Sequence, residues 1–155
     1  MSDSSPFDVA IIGGGPGGYV AAIRCAQLGL KTALVEKRKA LGGTCLNVGC
    51  IPSKALLHTS DQYEFAAHKA KAAGIEIDGK VSLNLKTVME KKDKVVKQLT
   101  GGVDTLVKKR GITRFEGHGK LLGNGKIAVD DKEALSAKNI ILATGSAPVD
   151  LPFLK

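Results

Sequence analysis

Phe7-Asp8-Val9-Ala10-Ile11-Ile12-Gly13-Gly14-Gly15-Pro16-Gly17-Gly18 is the stretch from which the rest of the fold follows. Phe7 to Ile12 is short, rich in β-branched residues and ends in glycine, which is the pattern of a buried strand. Pro16 to Leu28 places Ala21, Ala22, Cys25 and Leu28 on one apolar helical face, and Gly29 supplies the stop. Thr32-Ala33-Leu34-Val35-Glu36 is a second buried strand. Strand, helix and strand within about 30 residues make a βαβ unit. Its crossover is right-handed in nearly all proteins, so the two strands run parallel.

Between the first strand and the helix, Gly13, Gly15 and Gly18 satisfy Gly-x-Gly-x-x-Gly. The match alone is weak, but here it follows a strand and opens a helix, the context that gives it meaning. Gly13 suits a tight turn, Gly15 lets backbone approach a pyrophosphate, and Gly18 lets helix and strand pack closely. Free N–H groups and the positive dipole end of the helix then face the phosphates. Glu36 closes the second strand, where a carboxylate accepts hydrogen bonds from a ribose hydroxyl and repels a 2′-phosphate. The competing reading of Glu36 is a solvated charge at a strand end.

Farther along stands Gly42-Gly43-Thr44-Cys45-Leu46-Asn47-Val48-Gly49-Cys50-Ile51-Pro52-Ser53-Lys54. A bridge between Cys45 and Cys50 would close a very short loop and stabilise little by chain entropy. In a regular helix, Cα atoms five apart lie roughly 8–9 Å from each other, whereas a disulfide spans about 4.4–6.8 Å. A bond there therefore requires irregular backbone, for which Gly49 and Pro52 are candidates. Strained short-loop disulfides are redox-labile, so the segment reads as an electron-transferring dithiol. It leaves the same carboxyl edge of the sheet as the glycine loop. A thiol pair beside the ligand favours FAD over NAD, because flavin exchanges electrons with thiolates. A helix starting near Pro52 would lower a thiol pKa. Two other readings stay open: zinc held by Cys45, Cys50 and some of His58, His68 and His118, at a spacing unlike familiar zinc pairs, or two inert cysteines. Cys25 reads as a core residue.

Composition sets the outer limits. The chain has 155 residues, 43% hydrophobic and 25% charged, with 19 glycines and a net charge of +8. That length suffices for one domain burying roughly 70% of its unfolded surface. With 4% aromatics and no Trp, stacking platforms for single-stranded nucleic acid are not expected, and the dispersed lysines accompany no recognition motif. A nucleic-acid partner is therefore not expected. Three cysteines argue against a secreted disulfide framework. The N-terminal residues lack a signal-peptide pattern, and no apolar run approaches the roughly 20 residues a membrane span needs. A reducing, cytoplasmic compartment is expected.

Downstream, Ser53 to about Ala73 has helical spacing, with Leu56, Leu57, Phe65 and Ala66 apolar, followed by a loop near Gly74 to Val81. Leu83 to Lys109 is a long lysine-rich amphipathic helix. Gly101-Gly102 within it marks a break or a close packing contact. Ile112 to Leu122 and Lys126 to Val129 form a hairpin around Gly123-Asn124-Gly125. Asn139 to Ala143 is another buried strand running into Thr144-Gly145-Ser146. The fold class expected is α/β, a Rossmann-like doubly wound parallel sheet with a β-hairpin or meander insertion.

On the glycine loop, the Thr44-Cys45 to Lys54 segment and Ala143-Thr144-Gly145-Ser146, the chain resembles the N-terminal part of the dihydrolipoamide dehydrogenases, within the pyridine nucleotide–disulfide oxidoreductases. The resemblance implies that residues 1–155 are the N-terminal part of an FAD-binding domain. It implies FAD as cofactor, with Gly13, Gly15 and Gly18 holding its pyrophosphate, Glu36 binding its adenosine ribose, and Pro16, Gly17 and Lys37 among the other cofactor-binding residues. Gly42, Gly43, Thr44 and Cys45 line the cofactor, Gly119 meets the adenine side by its backbone, and Ala143, Thr144, Gly145 and Ser146 belong to the flavin segment. Cys45 exchanges with substrate, Cys50 faces the flavin and Lys54 stabilises its reduced form. Dihydrolipoamide would reduce the Cys45–Cys50 disulfide, electrons would pass through FAD, and NAD⁺ would be the final acceptor. Implied partners are the lipoyl domains of 2-oxo acid dehydrogenase complexes and a second copy of the full-length protein, with no metal, in bacterial cytosol or mitochondrial matrix. Members of the family are much longer and carry an NAD-binding domain, an interface domain and an acid–base His/Glu pair that this sequence lacks, so the 155-residue chain alone is expected to be inactive. Mercuric- or glutathione-type reductases and a nucleotide-binding module without turnover are the alternatives.

Overall fold

The computed structural model describes residues 6–153. Its centre is strand β1 (Phe7–Ile12), whose residues alternate between two cores as a pleated strand requires. Val9 and Ile11 point to one face, Ala10 and Ile12 to the other, and all four are buried. Helix α1 (Pro16–Gln27) crosses to β2 (Thr32–Glu36), every residue of which is buried. The expected βαβ unit is present, with β1 and β2 parallel and Ile11 opposite Leu34. Leu28 lies just past α1 as its C-terminal cap and is exposed, because nothing among the described residues covers that end of the helix.

A short helix, α2 (Gly43–Asn47), follows without having been expected, and α3 (Cys50–Glu64) starts earlier than Ser53. Beyond α3, the Ala70 N–H bonds back to the Phe65 carbonyl, five residues earlier, in a π-helical turn (Phe65–Lys69), and a 3₁₀ turn (Lys71–Ala73) ends the run. The loop then reaches Asn84, whose side chain accepts from the Thr87 N–H and caps α4 (Leu85–Lys109).

The chain returns through β3 (Thr113–Glu116), then β4 (Gly119–Gly123), β5 (Lys126–Val129) and β6 (Lys132–Leu142). The Ile112 to Leu122 expectation is corrected here. That run is two strands rather than one, because Gly117 donates to the Glu36 carbonyl and His118 turns aside to pair with Asp130. β3 joins β2 in parallel, and only β4 and β5 form the hairpin over Asn124-Gly125. The last strand is also longer than the expected Asn139 to Ala143. Its first half pairs antiparallel with β5, and its second half pairs parallel with β1. The strand order is β3-β2-β1-β6-β5-β4.

Helices cover one face of the parallel strands. Val9, Ile11 and Leu34 pack there with Ala22 of α1, Leu46 of α2, and Val103 and Val107 of α4. The opposite face is covered by the meander, through Ile127 of β5 and Leu135 and Ala137 of β6 against Ala10, Ile12, Ala33 and Val35. Gly101 and Gly102 neither break α4 nor mark close packing: the helix continues through both, and nothing lies within 4 Å of a Cβ built on either.

Candidate functional site

All four parallel strands end on one edge of the sheet, and the residues that follow β1, β2 and β6 line an open cleft of about 770 Å³. Gly13, Gly15, Pro16 and Gly17 form one wall, and Gly43, Thr44 and Cys45 another. Glu36, Lys37 and Arg38 close one end, and Ala143, Thr144, Gly145 and Ser146 run along the remaining side. A smaller recess shares Gly13, Glu36, Lys37 and Thr144 with it and is bounded by Gly117, His118 and Gly119.

The glycine loop is fixed by its neighbours. Gly13 donates to the Val35 carbonyl, and Ala143 donates to the Ile12 carbonyl beside it. With φ +110°, and with a hypothetical Cβ 2.2 Å from the Ala143 carbonyl oxygen, position 13 admits no side chain. Gly18 is buried at the crossing of helix and loop, where a Cβ would lie 1.7 Å from the Gly13 carbonyl oxygen. Gly15 caps α1 without a side chain, so the first N–H groups of that helix are directed at the cleft.

Glu36 is buried, which removes the reading of a solvated charge. One carboxylate oxygen accepts from the Gly14 N–H at 2.6 Å and the other from the Arg38 N–H at 2.8 Å. The side chain therefore clamps the glycine loop to the end of β2, each oxygen keeps acceptor capacity, and Glu36 lines the recess. The Glu36 carbonyl accepts from Gly117, bringing the Gly117–Gly119 corner alongside. Gly119 itself faces inward: a Cβ there would meet Ile12 and Val35.

The second wall rests on contact between glycines. Gly43 has φ +56°, and its hypothetical Cβ would lie 2.7 Å from the Gly15 Cα, so the two loops touch backbone to backbone. Gly42 does not line the cleft; it is the N-cap of α2 and donates to the Gly14 carbonyl. Asn47, which sequence reasoning passed over, donates to the carbonyls of Leu41 and Gly43 and locks this turn. An Asn four residues after a glycine near a helix start was the available signal.

Cys45 and Cys50 flank the α2–α3 junction. Val48 and Gly49 both donate to the Thr44 carbonyl, and α3 then begins at Cys50. Gly49 supplies the irregular backbone; Pro52 does not, since it sits buried within the first turn of α3, where proline fits because its missing N–H has no intrahelical partner anyway. Cys25, Cys45 and Cys50 are all free thiols. Cys45 lies in the cleft wall, Cys50 is exposed just outside it, and Lys54 stands one turn along α3. The Cys45 thiol titrates above its ordinary value, first because it hydrogen-bonds Cys50, then because it is partly desolvated and near the Cys50 charge. The Lys54 ammonium and the Cys50 backbone N–H act in the opposite direction. The lowering expected from the helix start is therefore present but outweighed by the neighbouring sulfur.

Arg38 and Arg114 were also missed. The Arg114 guanidinium donates to the Arg38 and Lys39 carbonyls and pairs with Asp104, holding the segment that follows Glu36 against α4. Among the described residues, no group of three or more His, Cys, Asp or Glu side chains is placed to hold a metal ion, and no helix is long and apolar enough to cross a membrane.

Comparison with known proteins places this geometry in context. The family described as pyridine nucleotide-disulphide oxidoreductase matches residues 7–154. Dihydrolipoyl dehydrogenase of Trypanosoma brucei brucei is 51% identical over 154 residues, which are 97% of this chain and 32% of that protein. The mitochondrial dihydrolipoyl dehydrogenase of Pisum sativum is 52% identical over 97% of this chain and 31% of that protein, and leghemoglobin reductase of Glycine max is 52% identical over 97% and 29%. The chain thus spans about a third of the length of the curated relatives it matches. The solved structure of a flavoprotein disulfide reductase, RclA from Escherichia coli, superimposes with a TM-score of 0.74 at 26% identity, covering 93% of this chain and 29% of that one.

Proposed function

Because this chain belongs to the pyridine nucleotide-disulphide oxidoreductase family, we propose that it is the FAD-binding, redox-dithiol part of a dihydrolipoamide dehydrogenase. The observation that carries the reading is the neighbouring thiols of Cys45 and Cys50, with Cys45 in the wall of a nucleotide cleft and the Lys54 charge acting on it.

The residues present fit FAD. The side-chain-free wall of Gly13, Gly15 and Gly17 and the N-terminus of α1 suit a pyrophosphate. Glu36 and Lys37 would meet the adenosine ribose, with Gly119 on the adenine side, while Thr44, Cys45 and Thr144–Ser146 would border the flavin. Bound there, FAD supplies two-electron acceptance from a dithiol and hydride delivery to NAD⁺.

The chain's own chemistry is thiol–disulfide exchange. A dihydrolipoamide thiolate attacks the Cys45 sulfur of the Cys45–Cys50 disulfide, and the S–S bond breaks with Cys50 leaving as thiolate. The second lipoyl thiol then attacks the lipoyl sulfur of the mixed disulfide, closes the lipoyl ring and releases Cys45. Two electrons have moved from substrate to protein; of the two lipoyl protons, one goes to solvent as the attacking thiolate forms and the other is taken by Cys45 as it is released. Lys54 balances negative charge on the sulfurs, and the hydrogen bond between the thiols retains a proton on Cys45.

Full turnover with NAD⁺, pairing of two copies, service to the lipoyl domains of 2-oxo acid dehydrogenase complexes, and residence in bacterial cytosol or mitochondrial matrix all belong to this reading. The test is exchange on the chain itself. After oxidation with diamide, dihydrolipoamide should restore the Cys45 and Cys50 thiols, as read by alkylation and mass spectrometry, while Cys45→Ser should form no Cys50 disulfide that responds. Reduction by glutathione and not by dihydrolipoamide would point to another disulfide reductase, and indifference to both would leave only a nucleotide-binding module.

A further inference from the structure

Beside a second cavity, which shares no lining residue with the nucleotide cleft, α4 carries Lys97, Gly101, Asp104 and Lys108 at spacings of four, three and four, one stripe along the helix. The loop at Lys39–Leu41 and the β3 residues Arg114 and Glu116 face this stripe across the cavity, which has a volume of about 400 Å³. That volume lies within the range of small-molecule sites.

Its charges do not cancel. Asp104 is occupied twice, by Lys108 at 2.8 Å and Arg114 at 3.1 Å. Lys39 and Lys97 have no carboxylate partner among the described residues, and Glu116 is the one other acid of the lining. Arg114 is committed to Asp104 and to two loop carbonyls, yet its Nε–H is buried without an acceptor. The lining of the cavity thus carries surplus positive charge, and one of its residues, Arg114, keeps an unspent donor.

Gly101 gives the second, independent sign. A glycine inside a helix is unfavourable, and here no neighbour requires it, since nothing stands within 4 Å of its missing Cβ. What the glycine does is leave the middle of the stripe bare, so that an occupant can approach the α4 backbone between Lys97 and Asp104.

We propose that this cavity is a binding site for a compact, multiply charged oxyanion of the phosphate class, held by Lys39, Lys97 and Arg114 over the bare surface at Gly101. It is separate from the dinucleotide cleft and does not depend on the reading of that cleft.

Inorganic pyrophosphate is the probe. Titrated into the ¹⁵N-labelled 155-residue chain, it should shift the Arg114 Nε–H and the Gly101 and Gly102 amides in a saturable way. The paired change Lys39→Ala with Lys97→Ala should weaken that response by about tenfold, while any response of the Gly13–Gly18 amides, a separate phosphate-binding loop, stays as before. Gly101→Glu is the second variant. It improves helix propensity and so should raise Tm, yet it places a carboxylate in the cavity and should abolish the shifts. Shifts confined to Gly13–Gly18, a non-saturating response, or unchanged binding in either variant would overturn the proposal.

Discussion

The Cys45 thiol is raised above its ordinary pKa mainly by its neighbour. The largest cause of its raised pKa is the hydrogen bond to Cys50, whereas Lys54 opposes it. Cys50→Ala should therefore make Cys45 react faster with iodoacetamide at neutral pH, and Lys54→Ala should make it react more slowly, since alkylation follows the thiolate fraction. A rate-against-pH profile by mass spectrometry checks both directions. The glycine loop and both cysteines were legible at this scale because their chemistry is local: a turn, a helix start and a spacing are written in consecutive residues. The role of Glu36 was only half legible. A carboxylate ending the second strand pointed to a ribose, but the Gly14 and Arg38 N–H groups it also accepts from depend on how two loops fold together. Arg114 was not legible at all, because its partners lie 10, 75 and 76 residues away.

At the scale of elements, the meander takes the place of a helix layer over half of the sheet. Ile127 is fully buried at its centre, opposite Leu121 on one side and Leu135 on the other. Ile127→Ala should cost about 2–5 kcal/mol of stability, while Leu121→Ala, at an exposed position, should stay within about 0.5 kcal/mol. Urea denaturation followed by circular dichroism separates the two. The buried strands β1 and β2 were read from sequence with their exact bounds, since continuous apolar runs leave no alternative. α2 escaped because five residues beginning with glycine carry no periodic signal; the Asn47 side chain and the contact with Gly15 make that helix. The first half of β6 escaped for a related reason. Lys132 to Ala137 has weak strand propensity, and its conformation comes from pairing with β5.

For the whole molecule, two carboxylates tie distant parts of the chain together. Asp8 accepts from the Lys31 N–H and from the Lys138 ammonium, joining the starts of β1 and β2 to β6. Its carboxyl is held below the ordinary range, first by the hydrogen bond from Lys138 and then by that from Lys31. Asp104 is lowered likewise, first by the hydrogen bond from Lys108, against the cost of burial, and then by Arg114. A carboxylate whose folded pKa is depressed binds protons more readily in the unfolded chain. Its stabilisation is complete at neutral pH and is lost as pH falls through the folded value. Stability should therefore be flat down to about pH 5 and decline progressively below it. Asp8→Asn should flatten that decline while lowering stability at neutral pH, as urea midpoints across the pH range would show.

The double membership of β6 has a bearing on errors in folding. One continuous strand is hydrogen-bonded to the meander by its first half and to β1 by its second. A slip of one residue turns every side chain of a strand to the opposite face, so a mispaired meander would also displace Ala143 from its place beside Gly13. Each half acts as a proofreader for the other: the outer layer and the rim of the nucleotide cleft come into register together, and a chain that threads one of them wrongly is denied both.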